Sequence, residues 1–283
     1  MQPAMGLWYD EEFRETRLGL VTEKTLFSGQ SEFQKVEIFE TRAYGKVLAI
    51  DSVFMTSERD EFFYHEMLNH PALLTHPDPK RVLIIGGGDG GSAREVLRHP
   101  GVEKCVMIEI DEMVVRASQE HLPMIGTAWD DPRLDLRFAD GIDYVKNSDE
   151  PKYDVVILDG TDPVGPGEVL FAMEFFRACK RMMKPDGILA MQSETPVLMA
   201  QVFFETQGKL RELWKKVHPY FGPVPLYASG IWSWTWCSDA HDPKAVDEAR
   251  YEALREGCRY YNPDVHRASL ALPNYVRRGL ANL

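Results

Sequence analysis

The run "VLIIGGGDGGSAREVL", residues 82–97, sets one aspartate, Asp89, among five glycines between an apolar strand-like stretch and a helical one. A strand, a glycine turn and a helix ordinarily cradle a nucleotide, with its phosphates at the helix N-terminus. A carboxylate in that turn would repel a diphosphate and attract a ligand carrying positive charge. Gly86, Gly88 and Gly91 satisfy G-x-G-x-x-G, and Glu109 lies 18 residues beyond Gly91, where an acidic residue can hold ribose hydroxyls. Taken alone, that fingerprint fits a nicotinamide dehydrogenase as well as an adenosylmethionine enzyme. Asp140 and Gly141 in "FADG" favour adenosine bound without a pyrophosphate: the carboxylate can accept from the adenine amino group, and the glycine lets the backbone approach the ring. Further on, "VVILDGTDPVGPGEVLF" (155–171) sets two carboxylates, Asp159 and Asp162, where a strand runs into a loop rich in Gly and Pro. Any one of these acids could be a helix or turn cap, but four successive strand ends carrying them argue for a site.

The elements that must position these residues follow from the hydrophobic pattern. From Lys80 onward, strand-like runs ("RVLIIGG", "KCVMIEID", "LDLRFADG", "YDVVILDG", "ILAMQSE") alternate with helical ones ("SAREVLRHP", "EMVVRASQEHLP", "EFFRACKRMMKPDG"). Such alternation specifies a Rossmann-like parallel sheet with helices on both faces, whose ligands bind beyond the carboxyl ends of the strands. Residues 1–75 are β-rich, and "FQKVEIFETRAYGKVLAID" reads as a hairpin turning at "RAYG". The expected organisation is a small N-terminal β domain, 1–75, packed directly on an α/β domain, 76–283.

Acidic residues outnumber basic ones 44 to 32, for a formal charge of −12, the wrong sign for gripping phosphate backbones and the right one for cationic ligands. Four scattered cysteines lack metal-ligand or disulfide spacing and fit a reducing compartment. No apolar run approaches the ~20 residues that span a bilayer, and the N-terminus lacks the pattern of a signal peptide. A cytoplasmic protein with no nucleic-acid or membrane partner and no metal is expected.

The ordered set "LWYDEEF", "SEFQ", "DEFFYHEM", "GGGDGG", "IEIDE", "LDGTDPVGP", "MQSE", "PLYASGIWS" and "YYNPDVHRASLALP", from Trp8 to Pro273, resembles the spermidine synthases, the polyamine aminopropyltransferases. The resemblance implies transfer of an aminopropyl group from decarboxylated S-adenosylmethionine, a co-substrate rather than a cofactor, to putrescine, releasing 5′-methylthioadenosine. It further implies assembly as a homodimer or homotetramer. Asp159 matches the family's catalytic base, Asp162 the acid that holds the amine, and Tyr64 a hydroxyl that orients it. Gln34 and Glu109 match the ribose contacts, and Asp140 and Gly141 those of the adenine. Gln192 and Tyr227 would line the amine channel, Trp8 would close one wall, and His65 joins the substrate-binding residues without a catalytic role.

The chemistry of these residues is consistent with that implication. A sulfonium is already a good leaving group, so the protein has to align an in-line displacement and supply a neutral amine. Freeing the lone pair of an alkylammonium with pKa near ~10.4 costs about 4.6 kcal/mol at pH 7, which a carboxylate beside the nitrogen offsets by taking the proton. Asp89 would pair with the donor's ammonium and repel the carboxylate of the undecarboxylated form. Departures from the family pattern gather on the amine side: Gly160 where Ser is usual, Met55 where many members have Gln, and Leu226 and Ala228 where Thr and Pro are common. They leave cadaverine, agmatine or spermidine open as acceptors. An adenosylmethionine-dependent amine methyltransferase and a non-catalytic binder of polyamines or nucleosides stand as alternative functions.

Overall fold

A computed structural model describes residues 7–13, 16–162 and 169–283. Strands β1 (Leu7–Phe13), β2 (Thr16–Gln30), β3 (Lys35–Thr41), β4 (Gly45–Ile50) and β5 (Val53–Ser57) form an antiparallel sheet in chain order. The expected hairpin is β3–β4, paired from Val36↔Ile50 to Thr41↔Gly45. Its turn closes because Gly45 takes φ +70, and the Thr41 hydroxyl accepts from the Tyr44 amide and donates to the Gly45 carbonyl.

A second sheet has the order β11-β12-β10-β9-β6-β7-β8. Its parallel core is β6 (Arg81–Gly86), β7 (Lys104–Glu109), β8 (Leu134–Phe138), β9 (Tyr153–Asp159) and β10 (Met183–Gln192). The helices between them are α2 (Gly91–Leu97), α3 (Glu112–His121), α4 (Gly141–Asn147) and α5 (Met173–Met182). Beyond the run read from the sequence, α6 (Ala200–Leu213) leads to β11 (Lys216–Pro223) and β12 (Ile231–Ser238), which extend the sheet antiparallel. The all-apolar centres of β6, β7 and β9 are buried on both faces, as parallel strands covered by helices must be.

The chain runs outward from β6 to β7 and β8, then returns to place β9 on the other side of β6, so the strand order reverses there. Gly86 and Asp159 are register partners across that reversal, which puts the glycine motif beside the catalytic candidate. The two sheets are tied by a shared cluster in which Val36, Ile38 and Leu48 pack on Val114, Leu122 and Ile125. Helix α1 (Glu61–Thr75) has every residue buried except Phe63 and packs against α2 and the larger sheet. The domain division expected at residue 75 therefore falls at the end of a helix that belongs by packing to the larger sheet. Among the described residues no helix is long and apolar enough to cross a membrane, and all four cysteines are free.

Candidate active site

Two largely covered aspartates, Asp89 and Asp159, sit at the β6–β9 reversal in opposite electrostatic settings. Asp159, ending β9, accepts from the Tyr64 hydroxyl at Oδ1, 2.8 Å away. Its Oδ2 is buried and takes no hydrogen bond from the described residues, although the Ser92 hydroxyl lies close enough to steady its charge. Burial raises the Asp159 carboxyl above its ordinary range; the His65 cation opposes the rise and Asp89 adds to it. Asp89 is held below the ordinary range despite its burial, because His65 Nε2 lies 3.2 Å from Oδ2 and the Gly91 amide donates to Oδ1 at 2.9 Å. Paired acids driven apart in this way mark an acid–base site: one is suited to take a proton, the other to stay charged.

Two glycines of the turn answer close approaches. A Cβ on Gly86 would sit 2.1 Å from the Asp159 carbonyl oxygen, and one on Gly91 would lie 2.3–2.5 Å from three atoms of the His65 ring. Gly88 lies against Glu109, whose carboxylate would be 3.0 Å from a Cβ placed there. Glu109 ends β7 buried, accepts from the Asp111 amide at 2.9 Å, and is pushed up to about 7 by burial. The Gln34 side chain reaches from the small sheet to donate to Asp111 at 3.0 Å, so it arrives at the end of β7 beside Glu109. Asp140 is exposed and caps α4, accepting from the Ile142 and Asp143 amides. Gly141 is buried against Ile85, where a Cβ would stand 2.5 Å from Cγ2. The cap role of Asp140 leaves Oδ2 outside these bonds.

On the other side of Asp159 is a cavity, open to solvent, lined by Glu11, Phe13, Met55, Tyr64, Gly160, Asp162, Gln192, Tyr227, Ala228 and Trp232, among others. Gln192 ends β10 and donates to Glu194 Oε1 at 3.2 Å. Tyr227 donates to the Met55 carbonyl at 2.8 Å. Of the four departures from the family pattern, Met55, Gly160 and Ala228 line the cavity. Leu226 stands behind it in the core, its amide bonded to Asp60. The Gly/Pro-rich loop singled out in the sequence, 163–168, lies outside the described residues.

Trp8 is not among the residues lining the cavity in this single chain; it is 64% exposed. Strand alternation explains this, because Trp8 faces away from the side of β1 that carries Tyr9, Glu11 and Phe13. The residues from "LWYDEEF" that do reach the cavity are Glu11 and Phe13, and the carboxylate of Glu11 is the one sequence reasoning passed over. Glu11 is 3% exposed, accepts from the Phe54 amide at 2.7 Å, and is pushed up to about 7, mainly by burial, with Asp162 adding to the rise. The alternation of Leu7, Tyr9, Glu11 and Phe13 was the available signal: a lone carboxylate on an otherwise apolar strand face.

Among the described residues one other grouping has metal-ligating types, His76, Asp186 and His241, within 4.8 Å of one another at the amino ends of the strands. The Asp78 amide donates to His76 Nδ1 at 3.2 Å, so the neutral ring carries its proton on Nε2, where a metal would need a lone pair. It lies at the opposite end of the sheet from Asp159.

The sequence matches the family model "Spermine/spermidine synthase domain" over residues 61–248 and "Spermidine synthase tetramerisation domain" over residues 7–58. It is 42% identical over 278 residues to the polyamine aminopropyltransferase of Thermoanaerobacter sp. (strain X514), covering 96% of this chain and 98% of that one. To the enzyme of the same name from Clostridioides difficile (strain 630) it is 41% identical over 280 residues, covering 98% and 99%. A crystal structure of spermidine synthase in complex with the transition-state analogue AdoDATO superposes with a TM-score of 0.95 at 40% identity, covering 100% of this chain and 97% of the other. Spermidine synthase from Thermotoga maritima superposes at 0.92 and 38% identity, covering 100% and 96%.

Proposed function

We propose that this chain, which belongs to the spermine/spermidine synthase family of polyamine aminopropyltransferases, moves the aminopropyl group of decarboxylated S-adenosylmethionine to putrescine. An ammonium of the diamine gives a proton to Asp159 Oδ2, with Tyr64 holding the other carboxylate oxygen in place. The freed lone pair attacks the methylene beside the sulfonium, and the C–S bonding pair stays on sulfur as 5′-methylthioadenosine leaves. Asp89 holds the donor's ammonium at the glycine turn, while Glu109 and Gln34 serve the ribose and Asp140 with Gly141 the adenine. Asp162 and Gln192 steady the attacking end of the diamine, and Glu11 takes its far ammonium.

The observation that carries this reading is the buried Asp159 Oδ2 without a hydrogen-bond partner among the described residues, between the donor turn and a cavity walled by Glu11 and Asp162. A carboxylate so placed and so raised is poised to accept a proton. Asp89 weighs against a methyltransferase, since the undecarboxylated donor would bring a second carboxylate to it. Mass spectrometry of the products from decarboxylated S-adenosylmethionine, and in parallel from S-adenosylmethionine, each with putrescine, cadaverine, agmatine or spermidine, tests both donor and acceptor. Spermidine with methylthioadenosine from the putrescine reaction is the expected outcome; methylated amine from S-adenosylmethionine would overturn it. The match of residues 7–58 to a tetramerisation domain supports a homotetramer assembled through the small sheet, with a mass that light scattering reads directly.

A further inference from the structure

Asp89 does not keep its charge unaided. His65 Nε2 faces Asp89 Oδ2 at 3.2 Å, and the other ring nitrogen, Nδ1, lies 2.7 Å from Glu61 Oε2 one helical turn back on α1. Glu61 is gripped in turn by the Arg94 guanidinium of α2, at 2.8 Å from Nη2 to Oε2 and 3.2 Å from Nη1 to Oε1. The same guanidinium donates to the Ile125 carbonyl at 2.8 Å and pairs through Nε with Glu95 at 2.7 Å. His65, Glu61 and Glu95 are all less than a tenth exposed, and the Arg94 side chain is 13% exposed. Arg94, Glu61, His65 and Asp89 thus form an alternating row of charges running from α2 through α1 to the donor turn.

We propose that Glu61 is a positioning residue for the donor site: held by Arg94, it fixes the charge and orientation of His65, and through His65 the carboxylate of Asp89 that receives the donor's ammonium. The inference rests on the assignment of Asp89 to that ammonium. Three observations support it. Its two middle members, Glu61 and His65, sit in the first two turns of α1 and are buried, where an unpaired carboxylate or imidazole would be costly, so each is held by its neighbours in the row. Gly91 leaves no Cβ where the His65 ring passes, so the ring can reach Asp89 only because that position is glycine. Burial alone would keep His65 neutral, but Asp89 and Glu61 on its two sides together hold it well above the ordinary range, and its cation holds Asp89 ionised. Asp159, across the turn, interacts with the same cation and favours it in return. An imidazolium anchored only at Asp89 would lose part of what holds its proton and its ring plane; the Glu61 contact supplies both.

The test is a double-mutant cycle on the full-length enzyme with Glu61→Gln, Asp89→Asn and both together. Glu61→Gln keeps the shape of the side chain, and its expected effect is a rise of about tenfold in KM for the decarboxylated donor, the loss of one charge-assisted contact. The KM for putrescine and the affinity for methylthioadenosine, which lacks the aminopropyl ammonium, stay unchanged. In the Asp89→Asn background the Glu61→Gln change adds nothing to donor KM. If the two changes are additive, Glu61 acts elsewhere and the proposal falls. A Glu61→Gln enzyme with unaltered donor KM beside an impaired Asp89→Asn enzyme overturns the positioning role alone; an Asp89→Asn enzyme with unaltered donor KM overturns the assignment on which it rests. Arg94→Lys, which keeps the charge but loses the two-point grip on Glu61, should raise donor KM in the same direction by a smaller factor, and it repeats the cycle should Glu61→Gln fail to fold.

Discussion

The proposed donor half and the proposed acceptor half of the site are built in different ways. The donor half is the carboxyl edge of three adjacent strands: the Gly86–Gly91 turn after β6, Glu109 closing β7, and Asp140 with Gly141 after β8. Its residues are fixed by backbone geometry, with glycines where strands and rings come close. The acceptor half is assembled from Glu11 on β1, Met55 on β5, Tyr64 on α1, Asp162 and Gln192 from the large sheet, and Tyr227 and Ala228 from the segment before β12. No two consecutive members of that set are closer than nine positions in the chain except Tyr227 and Ala228. A site made of one sheet's edge tolerates little variation, because each residue also terminates a strand. A cavity walled by segments from two sheets can change one wall without disturbing the others, and three of the four departures from the family pattern fall on it. The comparison therefore predicts separable functions: donor recognition that is rigid, and acceptor choice that is tunable.

The largest effect expected is at the boundary between the halves. Asp159→Asn should lower turnover by about 10² to 10⁴ fold, the usual range for a general base, while methylthioadenosine binding persists. Because rising pH supplies free amine from solution, the deficit relative to wild type should narrow between pH 7 and 10. A constant deficit across that interval would reduce Asp159 to an electrostatic anchor.

Next come the two single-sided changes, which should be crossed. Asp89→Asn should raise donor KM and shrink discrimination against S-adenosylmethionine, with acceptor KM unmoved. Glu11→Gln should raise putrescine KM and leave donor KM unmoved, each change by roughly 10- to 100-fold as a charge-assisted contact is lost. Glu11 carries its own pH signature. With its carboxyl raised to about 7 by burial, it is neutral below that pH and charged above it. Putrescine kcat/KM in the wild type should therefore fall as pH drops through 7, and that limb should be absent in Glu11→Gln. Steady-state kinetics with each substrate varied in turn measures all of this; an effect of either variant on both KM values would break the division into halves.

The smallest effect should come from Met55→Gln. It restores the family's usual residue on the cavity wall, and it should shift the preference between putrescine and a longer diamine by about two- to tenfold, the scale of one neutral hydrogen bond, without altering donor kinetics. Competition between two amines in one reaction reads that ratio directly.

The strand ends that make up the proposed donor half were largely legible because their signals are local. Gly86, Asp89 and Glu109 stand at the junctions of a strand–turn–helix pattern, and burial of parallel strands on both faces makes that pattern continuous and easy to find. The β3–β4 hairpin was equally plain, resting on one turn and two short alternating runs. The antiparallel β11 and β12 were not, since their aromatic-rich sequences say nothing of which edge of the sheet they join. The C-terminal motif "YYNPDVHRASLALP" is held in part by Glu66, whose carboxylate accepts from the amides of Arg259, Tyr260 and Tyr261 at 2.6–2.9 Å.

The sequence by itself determined the alternation of strands and helices, the acidic edge at which they end, and through ordered motifs the family and its chemistry. Tertiary structure alone decided which face of β1 meets the cavity, and so brought Glu11 to it. It also decided that His65 is the link between Glu61 and Asp89. Hydrophobic periodicity reports which residues face a core, but not which core or which neighbour. Contacts between segments distant in the chain are set by how the two sheets and α1 pack, and the electrostatic fate of a buried carboxylate depends on those contacts alone.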